Sequence, residues 1–243
     1  ATAPSMDGYA SSGAAMILKG MKDTVPASLP YAILADTQVL KNAPMEMIKA
    51  GYGDIIGKYS CLNDWKLARI IKDEYFCDEV YELTMSCVKE VEPLAKAVLA
   101  REPQAVGALV EALVAVGIAM AYVGNSRPAS GSEHHLSHFF EITGILDNKE
   151  YFLHGIDVMY SAAVTCKLRE MLILNIFVYL ILNRNKYDNS LKNNAHPQQK
   201  QSCQRRAFIT SALLYFTTLI CFCQHFLFAN SRKGGVLWKT LKS

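Results

Sequence analysis

Side chains able to bind a metal or move protons are concentrated in Ser130-Gly-Ser-Glu-His134-His135-Leu-Ser-His138 and, shortly after, Leu153-His154-Gly155. Four of the six histidines fall within the 21 residues from 134 to 154. On a helix His134 and His138 stand one turn apart on a shared face, while His135 points about 100° away. Two imidazoles so placed can reach one metal ion, or one can ligate while the other meets a bound substrate. The same spacing suits a solvated, histidine-rich helix start followed by a glycine turn, and H-x-x-x-H alone does not separate the two readings.

Glycine-flanked aspartates are the second chemical signal. Asp54 lies in Ala50-Gly-Tyr-Gly-Asp-Ile-Ile-Gly57 and Asp7 in Pro4-Ser-Met-Asp-Gly8. Neighbouring glycines allow backbone or ligand to come close to a carboxylate, although a turn or capping role would need the same residues. A carboxylate at the mouth of an apolar helix is a suitable hard ligand to join imidazoles on zinc or iron. Spacing cannot join Asp54 to His134, because 80 residues separate them.

The elements that must position these residues read as mainly helical. Residues 1–43 are rich in glycine, proline and small residues, with one apolar run at 31–35 that predicts a single buried strand. From Pro44 apolar residues recur at three- and four-residue spacing, with Gly51 and Gly53 expected to interrupt the helix. Further helices are expected at 63–76, 78–100, 104–123 and 130–142, with breaks at Pro93, at Pro103 and at the turn from Asn125 to Pro128. The stretch 104–123 carries only Glu111 as a charge and is long enough to raise a membrane question. Its small residues, Gly107, Ala108, Gly117 and Ala119, suit a central helix buried in a bundle instead.

Composition bounds the rest. With 243 residues, 51% hydrophobic and 19% charged, the chain is not disordered, collagen-like or a small disulfide scaffold. Seven scattered cysteines, none spaced C-x-x-C, support neither a disulfide framework nor a cysteine zinc site, and a reducing cytoplasm is expected for residues 1–170. The net charge of +3 hides a division: residues 1–170 hold 15 Lys/Arg and 21 Asp/Glu, and residues 171–243 hold 10 and 1. Basic balance therefore gives no ground for a nucleic-acid partner. An apolar stretch at 207–229, flanked by Arg205-Arg206 and Arg232-Lys233, has the length of a membrane span. The preferred expectation is that 171–243 is a non-native reading such as a frameshift or read-through, with a genuine membrane anchor as the alternative. The chain opens on Ala1 with no signal-peptide pattern, and a fragment lacking its beginning is expected.

Five segments carry a resemblance: Thr2-Ala-Pro-Ser-Met-Asp-Gly-Tyr-Ala-Ser11, Ala50-Gly-Tyr-Gly-Asp-Ile-Ile-Gly-Lys-Tyr59, Asp64-Trp-Lys-Leu-Ala68, Gly131-Ser-Glu-His-His-Leu-Ser-His138 and Leu153-His-Gly155. Together, and in this order, they resemble the glycerol-1-phosphate dehydrogenase family, which groups with iron-type alcohol dehydrogenases, glycerol dehydrogenases and dehydroquinate synthases. The resemblance covers residues 1 to about 170. It implies a mainly α chain: the helical metal-binding domain of a dehydroquinate synthase-like fold at 44–170, preceded at 1–43 by a remnant, about one strand, of an α/β nucleotide-binding domain. Residues 171–243 resemble nothing in the family.

The resemblance also implies roles. Asp54, His134 and His154 match three metal ligands, for zinc or another divalent ion such as nickel or iron. Asp7 and His138 match substrate-lining positions, with Asp54 serving both metal and substrate and His138 able to join a proton relay. Thr2, Ser5 and Ser11 match positions that contact NAD(H) or NADP(H), and His135 matches no ligand. The implied reaction is reduction of dihydroxyacetone phosphate to sn-glycerol 1-phosphate in phospholipid biosynthesis, by a small-molecule enzyme that forms homo-oligomers in full-length relatives. Glycerol oxidation or dehydroquinate formation on the same scaffold, and a non-catalytic membrane-anchored remnant, are the alternatives. No G-x-G-x-x-G or Gly-Gly-Gly run occurs in the chain, so weak NAD(P)H binding and little or no turnover are expected of it as it stands.

Overall fold

The structure, a computed structural model, describes residues 1–18 and 21–182. The chain divides into two units, Ala1–Thr165 and Cys166–Ser243, and every candidate site residue belongs to the first. The 207–229 stretch and its flanking basic pairs lie outside the described residues.

An N-terminal segment with a 3-10 turn at Gly8–Ala10 leads into an antiparallel pair, β1 (Gly13–Leu18) and β2 (Met21–Pro26), in which Ala14 faces Val25 and Ala15 faces Thr24. The strand expected at 31–35 does not form. Tyr31 and Leu34 are exposed and the run is irregular, because Pro30 precedes it and, among the described residues, no strand pairs with it. The Leu34 carbonyl accepts instead from the N-terminal ammonium of Ala1, at 2.6 Å.

Seven α-helices follow among the described residues: α1 (Thr37–Leu40), α2 (Met45–Lys72), α3 (Asp78–Val91), α4 (Ala95–Leu99), α5 (Pro103–Val123), α6 (Ser132–Leu146) and α7 (His154–Leu182). Pro93 breaks the α3–α4 stretch with a 3-10 turn, as its missing N–H and ring dictate. Pro103 begins α5, and Gly124 at φ 74° ends it in the left-handed conformation that glycine adopts without a side-chain clash.

Helix α2 is continuous through Gly51 and Gly53, contrary to the interruption read from the sequence. The glycines serve close approach rather than a break. A Cβ on Gly51 would lie 1.8 Å from the Pro4 carbonyl oxygen, and one on Gly53 would lie 2.4 Å from that of Gly155. On the facing element a Cβ on Gly155 would meet the Ala50 carbonyl oxygen at 1.8 Å. Backbone thus touches backbone where α2 crosses the start of α7, and this contact sets the distance between Asp54 and His154.

The core lies between α2, α3 and α5. Ile48, Ile55 and Leu62 of α2, seven residues apart, are fully buried with Val88 and Val91 of α3 and Leu109, Leu113 and Val116 of α5. Among the described residues α5 is the helix long and apolar enough to cross a membrane, and it lies at the centre of this bundle.

Candidate metal and substrate site

Asp54 sits in the third turn of α2, with no exposure to solvent. His134 stands at the third position of α6. The loop before α6 is held by the Arg127 guanidinium, which donates to both Glu74 oxygens at 2.5 and 2.7 Å. The first turn of α6 is held from outside the helix, where Asp64 of α2 accepts from the Ser132 N–H at 2.7 Å. An acceptor at this end satisfies an N–H that no helical carbonyl can reach. His154 is the first residue of α7, where the histidine-rich segment's glycine turn was one reading; Gly155 instead lies inside the helix.

These three elements bring Asp54, His134 and His154 together, with one donor atom from each lying within 4.8 Å of the others. His134 Nε2 is 3.8 Å from Asp54 Oδ1. Its other nitrogen, Nδ1, is 2.8 Å from Glu133 Oε1, which also accepts from the Gly131 N–H at 2.8 Å. With the ring proton on Nδ1 shared with Glu133, the Nε2 lone pair is turned toward Asp54. The His138 ring, one turn further along α6, lies edge-on to His134 at 6.0 Å and tilted to His154 at 5.6 Å, and the His134 and His154 rings are 5.1 Å apart. His135 is exposed on another face, and His134 is buried, so the cluster is not a solvated helix start.

A second carboxyl completes the floor. The Asp7 N–H donates to Asp54 Oδ2 at 3.0 Å, which places the N-terminal segment against α2. Between the two carboxyl groups lies Lys58, one turn after Asp54 and fully buried. Its ammonium donates to Asp54 Oδ1 at 2.6 Å and to the Ala129 carbonyl at 3.0 Å, and it is 2.7 Å from Asp7 Oδ2.

The electrostatics follow from this packing. Burial pushes the Asp54 carboxyl up, but Lys58, His134 and His154 outweigh it and hold Asp54 below its ordinary value. Asp7 is raised, first by burial and then by the neighbouring Asp54 charge. For Lys58 burial favours the neutral form, yet the two carboxyl groups overcome it and keep the ammonium. Glu133 is also pushed up by burial and brought below its usual value by its hydrogen bond and attraction to His134.

The nucleotide-contact candidates are spread along the N-terminal segment. Thr2 is exposed and Ser5 half-buried, on the stretch that lays Pro4 against Gly51. The Ser11 hydroxyl accepts from the Gly13 N–H at 3.1 Å, at the entry to β1. Lys58 and Glu133 were not singled out from the sequence. Lys58 could have been found from its i,i+4 spacing to Asp54, and Glu133 from its place next to His134 in the first turn of a helix.

The donor set of one carboxylate oxygen and two imidazole nitrogens suits a divalent ion of borderline softness, and Glu133 already orients one imidazole for that task. The residues present therefore fit a metal of this kind.

The iron-containing alcohol dehydrogenase family model matches residues 1–44. A glycerol-1-phosphate dehydrogenase of Geobacillus thermodenitrificans, named for use of NAD(P)+, is 43% identical over 167 residues, covering 67% of this chain and 40% of the relative. Enzymes of the same name from Bacillus subtilis and Pyrococcus furiosus are each 36% identical over 167 residues, covering 67% and 64% of this chain and 41% and 48% of the relatives. The chain thus spans between two fifths and one half of the length of these curated relatives. Over the stretch that aligns, where buried Asp54 and His134 meet half-buried His154 in a mainly helical fold, the chain belongs to the glycerol-1-phosphate dehydrogenase family.

Proposed function

We propose that the chain carries the metal and substrate half of an NAD(P)H-linked enzyme that reduces dihydroxyacetone phosphate to sn-glycerol 1-phosphate. The observation that carries this reading is the convergence of Asp54, His134 and His154 within 4.8 Å, from three helices distant in sequence. These three residues would hold the metal, and zinc is the ion the reading assigns. When bound, the metal supplies polarisation of the substrate carbonyl and the nicotinamide supplies hydride.

The remaining work falls to the protein. Glu133 keeps the His134 ring in the orientation and tautomer that offer Nε2 to the site. Asp7, fixed to Asp54 through its own N–H, lines the floor and is placed to accept a hydrogen bond from a substrate hydroxyl. His138 packs edge-on to His134 and tilted to His154, close enough to the donors to deliver a proton to oxygen that gains negative charge. Thr2, Ser5 and Ser11 are the proposed contacts to the nucleotide, in the segment that reaches the site through Asp7.

The reading is tested by ligand discrimination in the zinc-loaded chain. Dihydroxyacetone phosphate is expected to raise the melting temperature and glycerol at the same concentration to leave it unchanged, with the Asp7→Asn variant losing the response. An equal response to glycerol, or none to either compound, would contradict the substrate assignment.

A further inference from the structure

Lys58 is unusual for a lysine in having no solvent exposure at all and three polar partners for its three N–H bonds. Asp54 Oδ1 and the Ala129 carbonyl accept hydrogen bonds, and Asp7 Oδ2 lies at ion-pair distance. The ammonium is thus enclosed by two hydrogen bonds and one ion-pair contact. What it touches is more informative: one proposed metal ligand, one proposed substrate-lining carboxyl and the backbone just ahead of α6, which bears His134. These three parts of the site come from sequence positions as far apart as 7 and 129, and Lys58 is the cation they share.

Resting on the metal reading above, we propose that Lys58 is a positioning residue that acts as a built-in counter-cation. It holds Asp7 and Asp54 together before a metal arrives, and its positive charge limits how tightly the ion is then gripped. The physical basis is that two carboxyl groups in contact repel unless a cation lies between them, and that a fixed positive charge beside a dication opposes its binding. Removing one member of a buried ionic group leaves the rest uncompensated. A residue that only filled space would lower the stability of the metal-free and metal-bound protein alike, whereas a counter-cation should be partly replaceable by the metal.

The test uses the full chain, its Lys58→Met variant, which keeps the unbranched stem one atom shorter and without its charge, and the double variant Asp7→Asn with Lys58→Met. Melting is measured in chelator and in excess zinc. In chelator Lys58→Met is expected to melt roughly 10 °C below wild type, and the double variant to recover part of the loss because one of the opposed carboxyl groups is gone. Zinc is expected to raise the Lys58→Met melting temperature by roughly 4 °C more than it raises wild type, equivalent to about tenfold tighter binding. A zinc-induced rise in Lys58→Met equal to or smaller than that of wild type would overturn the proposal. If Lys58→Met does not fold without metal, folding rescued by zinc supports the proposal, and failure of both zinc and the Asp7→Asn change to rescue it contradicts it. Absence of any zinc-induced rise in wild type would overturn the metal reading itself, and the proposal with it.

Discussion

His134 has a different carboxylate on each side of its ring: Glu133 at 2.8 Å from Nδ1, and Asp54 at 3.8 Å from Nε2. The two do different things. Glu133 is fixed by the Gly131 N–H and orients the ring, while Asp54 shares with it the space where a cation would sit. Replacing Glu133 by Gln keeps the shape but gives the ring nitrogen a neutral partner. Metal affinity is then expected to fall about 10- to 100-fold, read by competition with a coloured chelator, with little change in metal-free melting. Unchanged affinity would mean that Glu133 serves the fold alone. At this scale the sequence was informative about residue types and uninformative about partners. His134 and His138 were legible as a helix pair and His135 as turned away, because helical geometry is local. Lys58 was passed over because a lysine reads as a surface residue until the two carboxyl groups around it are seen.

Among the elements, the crossing of α2 and α7 is what lets the site exist. Ala50, Gly53 and Gly155 bring backbone to backbone there, so that His154 at the first position of α7 faces Asp54 on α2. A methyl group on Gly155 has no space, since the Ala50 carbonyl oxygen would lie 1.8 Å away. Gly155→Ala is therefore expected to destabilise the protein by about 1–3 kcal/mol or more in urea titration, and to weaken zinc binding through displacement of His154. Stability and zinc affinity both equal to wild type would show that the helices do not need this contact. The glycines also explain why the sequence misled on α2. Gly51 and Gly53 lower helix propensity and read as a break, but tertiary packing outweighs a cost of about 1 kcal/mol each. The apolar run at 31–35 failed for the converse reason: strand character is realised only with a partner edge, and the pairing residues lie earlier, in β1 and β2. Pro93 and Pro103 acted where expected, because a missing N–H is a covalent fact independent of packing.

Across the whole molecule, the acidic first 170 residues and the basic remainder describe different things. All the proposed ligands, together with Lys58, Glu133 and His138, belong to the unit Ala1–Thr165. The apolar helix α5, which could pass for a membrane span on composition, is the central core helix of that unit, packed against α2 and α3. The family was legible from five short motifs because they hold the residues that chemistry constrains most. Their convergence was not legible, since contacts between positions 7, 54, 134 and 154 depend on helix packing that no local pattern encodes. The central claim is that these helices assemble a three-residue site for one divalent ion. The measurement that tests it most directly is zinc bound per chain after chelator treatment, reloading and desalting, for wild type and for the His154→Ala variant. One zinc per folded wild-type chain and almost none in folded His154→Ala is the predicted result; a wild type that retains no zinc, or a variant that retains as much as wild type, would contradict it.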